Sequence, residues 1–171
     1  MSKVKPRIEI TLSNGVEINT ADLITLRGMC RSARGAVVPG IAASTILMMY
    51  EARDREMLFR ALSKDKGEWR YWDGTHWKLY PEIKVHNDVL KIVGVDVGAA
   101  QVEAIVRTMQ ILSNRNWYQF DTLPVVAFHN TILAIEHNNV VEKQFTKENY
   151  NTYKLPVAVE NIAAPIWDEM I

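Results

Sequence analysis

The 171-residue chain lacks several things, and each absence narrows what it can do. It has a single cysteine, Cys30, so no intrachain disulfide can form and a reducing compartment is expected. It has no net charge: 20 Lys and Arg balance 20 Asp and Glu. Whole-molecule attraction for nucleic acid is therefore absent, and any basic surface must be local. It has no long apolar run. The longest, GIAASTILMMY from Gly40 to Tyr50, is too short to cross a bilayer, and the first ten residues hold no signal-peptide core. No G-x-x-x-x-G-K-[ST] phosphate loop occurs, and no C-x-x-C or H-x-x-x-H pair. The four histidines are scattered; His129 and His137 flank one strand but lack the further ligands a metal needs. No serine sits in a nucleophile-elbow motif. The expectation is a non-enzyme with no catalytic residues, no metal and no cofactor.

What is present is a folded-protein composition, 48% hydrophobic and 23% charged, and patterned segments. RIEITLSNGVEIN (7–19) reads as a hairpin. A three-residue turn over Ser13-Asn14-Gly15 pairs Leu12 with Val16 and Ile10 with Ile18, keeping one face apolar, with Gly15 left-handed. A helix follows over 19–35, capped by Asn19 or Thr20, then a second over about 41–63. Helical periodicity returns at 83–93 and at 99–113, where Val102, Ile105, Val106, Met109 and Leu112 recur at three and four. Residues 124–145 read as three short strands with turns at Asn130 and at His137-Asn138-Asn139; the tail reads as extended, turning helical at its end. The fold class expected is α+β: a helical N-terminal half with β-hairpins and a small antiparallel sheet built from the 69–80 hairpin and strands 125–145. Residues 1–57 and 58–171 are read as two segments of one compact unit.

The densest chemistry is aromatic. Three of the five tryptophans fall between Trp69 and Trp77, around Asp73-Gly74. Either these rings fill a core, or one face waits for a flat partner such as a nucleobase. A two-residue turn puts Trp72 opposite Thr75 and leaves Arg70, Trp72, Thr75, Trp77 and Leu79 on one face. The other face carries Trp69, Tyr71, His76, Lys78 and Tyr80. Trp72, Trp77 and Leu79 make the better core. Trp69, Tyr71, His76 and Lys78 are then left for a partner, with a ring stacking on a base and Lys78 on phosphate. Arg27, Arg31 and Arg34 recur at helical spacing, as a solvated stripe or a phosphate clamp, and join the candidate nucleic-acid-binding set.

The order of these motifs resembles the region that precedes the ATPase in poxvirus- and phage-type primase–helicases of helicase superfamily 3. Trp72, Asp73, Gly74 and Trp77 match that family's W-x-x-x-D-G-x-x-W hairpin in part. Asn130 with Ile132, Leu133 and Ile135 matches its later strand pair, and Pro165, Trp167 and Ile171 its closing element. Thr131 stands where the family has glycine, and Glu136 stands one place after its aspartate. The resemblance covers 58–171. It implies a DNA-replication context of viral or phage type. The reading is then a non-catalytic module that contacts DNA, single-stranded by preference, or assembles with a replicative helicase or with itself, in the host cytoplasm and without a membrane. The alternative is a stand-alone phage or mobile-element protein that binds or inhibits a replication or host protein.

Overall fold

The computed structural model describes residues 8–63, 66–116, 120–121, 125–137 and 139–159. The first hairpin forms as its residues dictate. Strands β1 (Ile8–Thr11) and β2 (Glu17–Asn19) pair Ile10 with Ile18, the Leu12 N–H donates to the Val16 carbonyl at 2.8 Å, and Gly15 takes φ 84°. Only glycine holds that left-handed turn position without steric cost. Helix α1 (Thr20–Met29) starts at Asn19, whose side chain accepts the Asp22 N–H at 2.9 Å. It stops at Met29, earlier than its sequence pattern implies.

Helix α2 (Pro39–Glu51) also stops early. Asp54 adopts φ 52°, so the Arg55 N–H bonds the Tyr50 carbonyl at 2.9 Å and the Asp54 N–H bonds that of Glu51 at 3.0 Å. This paired closure is a Schellman stop, made with aspartate where glycine is usual. It frees Met57–Ala61 to form strand β3, a segment the sequence pattern had placed in the helix.

Strand β3 is interior to its sheet, whose order is β5-β4-β3-β6. Strands β4 (Gly67–Trp72) and β5 (Trp77–Tyr80) are the aromatic hairpin. Strand β6 (Asn114–Asn116) runs parallel to β3, directly after helix α4 (Ala99–Leu112). Helix α3 (Glu82–Val93) precedes α4. Helix α2 packs on α4, α4 on α3, and α1 on both α2 and α3. Strands β7 (Val125–Ala127), β8 (Ile132–Glu136) and β9 (Asn139–Lys143) form a separate antiparallel meander. The fold is thus α+β as expected. The expected single sheet is instead two, because β3 and β6, not β7 to β9, complete the aromatic hairpin. The expected terminal helix and the closing element at Pro165, Trp167 and Ile171 lie outside the described residues.

Two apolar cores flank the β3–β5 sheet. The larger joins Leu12 and Ile18 of the first hairpin, α1 to α4, and Met57, Trp69 and Tyr80, so it runs across the 57/58 boundary. The smaller joins Leu58, Trp72, Trp77 and Phe120, with Phe145 and Tyr150 against it. Among the described residues no helix is long and apolar enough to cross a membrane.

Candidate interaction surfaces

The aromatic hairpin has a four-residue loop, Asp73 to His76, so Trp72 opposes Trp77 and Trp69 opposes Tyr80. The two extra loop residues shift the pairing by an even number, and the face memberships inferred from a two-residue turn survive. Their roles do not. Trp69, Tyr71 and Tyr80 point at the helices: Trp69 is 1% exposed, edge-on to Phe59 at 5.4 Å, and Tyr71 meets Tyr80 at 5.3 Å. The Trp69 ring is core and has no open face on which a base could stack; this corrects its assignment as a partner residue. On the other face Trp72 and Trp77 are buried as expected, but Leu79, expected in the same core, is 57% exposed because the covering segment does not reach it. Tyr150 stacks over Trp77 at 11° and 6.2 Å, with Phe120 edge-on to Tyr150. The Trp77 indole donates to the Lys147 carbonyl at 3.0 Å, and its backbone N–H to that of Asn151 at 2.7 Å. The flat partner of this hairpin is the chain's own C-terminal segment.

The loop is closed on itself. Asp73 accepts from the Thr75 and His76 N–H groups at 2.8 and 2.9 Å, from the Thr75 hydroxyl at 2.8 Å, and pairs with Lys78 at 2.8 Å. Burial alone would raise the Asp73 pKa; the donors from Lys78, His76 and Thr75 outweigh it and hold the carboxyl well below the usual carboxylate range. Burial pushes the half-buried His76 imidazole down, with Asp73 opposing. Lys78, assigned to phosphate by its sequence position, already has a carboxylate partner.

The arginine stripe divides likewise. Arg27 donates to the Ile92 and Lys91 carbonyls at 3.0 and 3.1 Å. Arg31 donates to the Val93 and Gly35 carbonyls and pairs with Asp96 at 2.9 Å. Both satisfy carbonyls that the C-terminus of α3 would leave without partners, where cations are also favoured by the helix dipole. They are a structural clamp, not a free phosphate grip. Arg34 is exposed and has no partner among the described residues. Cys30 is buried, and that burial raises its thiol pKa.

Two polar arrangements were not legible. Asp88 is 1% exposed, yet its carboxylate accepts from the Ser13 N–H and hydroxyl, both at 2.9 Å, from Tyr50 at 3.3 Å and from Tyr80. Four elements thus meet at one buried charge. Burial beside Asp88 raises the pKa of both phenols. His86 of α3 reaches α4, with an acceptor at each ring nitrogen: the Glu82 carbonyl at 3.0 Å and Glu103 of α4 at 2.9 Å. Both bonds form only when both nitrogens carry hydrogen, so this geometry calls for the imidazolium. Burial opposes the charge; Glu103 and the Glu82 carbonyl outweigh it and raise the pKa. No group of three or more metal-binding side chains occurs among the described residues.

Two surface patches among the described residues are apolar. Between α1 and α2 lies a groove of about 290 Å³ lined by Leu26, Met29, Thr45, Met48 and Met49. The Asp22–Arg53 ion pair, at 3.1 Å, also lines it. Met48 is 63% exposed, while Thr45 is buried on the groove floor and its hydroxyl has no partner among the described residues. A second apolar face belongs to the meander, with Val126, Phe128, Leu133, Ile135 and Val140. Signals for both exist in the sequence. Helix α2 is apolar around most of its circumference, and β8, reading ILAIE, does not alternate with polar residues as a half-solvated strand does. No family model and no curated protein matches the chain.

Proposed function

We propose that the chain is a non-catalytic interaction module of a DNA-replication assembly, working through protein contact. The observation that carries this reading is the methionine-lined α1–α2 groove. It fits one side of a partner's amphipathic helix: flexible thioethers adapt to varied apolar side chains, and the Thr45 hydroxyl can meet one polar group. The replication context rests on the order of the hairpin and strand motifs, and the cytoplasmic setting on a lone, buried cysteine. The side chains that charge and ring content single out for DNA are mostly engaged within the chain. Of the seven candidate residues, Trp69 is core, Arg27, Arg31 and Lys78 are engaged internally, and Tyr71 and His76 are half-buried. Arg34 is exposed without a partner among the described residues, and Lys78 is exposed but paired with Asp73.

Selection of a random-peptide display library against the intact chain tests the reading. Peptides with apolar residues at helical spacing should be enriched, and Met48→Asp should abolish their capture while Lys78→Ala leaves it intact. Enrichment that survives Met48→Asp, or no enrichment at all, would sink it.

A further inference from the structure

The meander has one face packed inward, through Ala127, Ile132 and Ala134, and one left open. The pairs Val126–Leu133 and Ile135–Val140 set four apolar side chains on the open face, and Phe128 adjoins them. They line a depression of about 380 Å³, with Ile135 59% and Val140 68% exposed. An antiparallel sheet normally shows polar side chains to water, and a concentrated apolar face marks a contact surface.

The chain itself leads to this face. Beyond Asn151 it runs beside β7: the Leu155 N–H donates to the Ala127 carbonyl at 2.9 Å, and the His129 N–H to the Val157 carbonyl at 3.0 Å. The Asn130 side-chain amide then grips Val159 at both backbone groups, at 2.9 and 2.8 Å. Val159 is thereby fixed at the β7–β8 turn, next to the strand end that carries Phe128. The twelve residues that follow, ENIAAPIWDEMI, contain Ile162, Ile166, Trp167, Met170 and Ile171. Crossing three strands takes about 10–15 Å. Twelve extended residues reach about 40 Å, so length is no obstacle. We propose that residues 160–171 dock on the open face of the meander, with Trp167 as the large apolar anchor. Pro165 has no N–H, which suits contact through side chains better than addition as a further strand.

Nuclear Overhauser contacts from the Trp167 indole, assigned with Trp167→Phe, test this in the full chain. The proposal expects contacts to the methyl groups of Ile135, Val140 and Leu133, the same at low and high protein concentration. It expects their loss in Ile135→Asp, with the amide spectrum of α1 to α4 unchanged. Should Ile135→Asp fail to fold, Val140→Asp on the outer strand serves the same purpose. Contacts to Met29 and Met48 instead would move the segment to the helical groove. Contacts seen only between differently labelled molecules would assign the face to a second copy. Either result, or no contact from Trp167 at all, overturns the proposal.

Discussion

Asp88 of α3 ties three other elements to its helix. Its carboxylate accepts four hydrogen bonds from the first hairpin, α2 and β5 while being almost fully buried. Removing it leaves two phenols and a backbone N–H without acceptors, at about 1–3 kcal/mol each. Asp88→Ala should therefore lower stability by roughly 3 kcal/mol or more, read as a fall in the denaturant midpoint. Little change would show that water replaces the carboxylate. His86 makes a second residue-scale claim, about pH. Its folded pKa is raised, so its contribution is fully present below the unfolded value of about 6.5 and disappears as pH rises through the folded pKa. The stability difference between the parent and His86→Gln should accordingly be larger at pH 6 than at pH 9. A difference that is flat or grows with pH contradicts the doubly donating geometry. Neither residue is conspicuous in the sequence, because burial and partners as far as 75 positions away decide what a lone Asp or His does.

At the scale of elements, local chemistry was legible wherever the signal was local. The Asn14-Gly15 turn, the Asn19 cap, the periodicity of α3 and α4 and the three meander strands all appear where their residues put them. Strand β3 did not, for two physical reasons. Its residues, MLFRA, are good helix formers, and the stop that separates it from α2 uses Asp54 in a left-handed conformation instead of glycine. Long-range pairing with β4 and β6 overrides the propensity. Each face of the aromatic hairpin carries its own apolar core, so Trp69, Tyr71 and Tyr80 pack on the helices instead of meeting a partner. Packing here is close. A methyl added at Gly67 would run into the Phe59 ring and come within 2.9 Å of the Arg60 carbonyl. Gly67→Ala should cost about 1–3 kcal/mol in thermal or chemical unfolding. A neutral result would mean that Phe59 can move aside. Trp77→Ala removes the plate under Tyr150 and should cost about 3–5 kcal/mol. Its clearest sign would be faster amide exchange at 145–151 than in α2 and α4; a uniform change across the chain would show that the smaller core is not a separate unit of stability.

For the molecule as a whole, the most distinctive surface among the described residues is apolar: the α1–α2 groove and the open meander face. Trp69, Tyr71, His76, Lys78, Arg27, Arg31 and Arg34 stand out by charge or ring, properties that sequence displays. The groove and the meander face were missed because they arise from which sides of α1, α2 and β8 other elements leave uncovered, and that depends on tertiary contacts. The proposed non-catalytic role predicts no magnesium-dependent nucleotide hydrolysis above a buffer blank. Turnover that survives repurification would contradict it. The central claim is that the aromatic hairpin is internal architecture, with the chain's own Tyr150 as its stacking partner. Fluorine NMR of the chain labelled with 5-fluorotryptophan tests it directly, with Trp69, Trp72 and Trp77 assigned by substitution. All three resonances should show little H2O-to-D2O solvent shift and stay in place as single-stranded DNA is added. Solvent sensitivity at Trp69, or movement of any of the three with DNA, would return the hairpin to the surface and contradict this account.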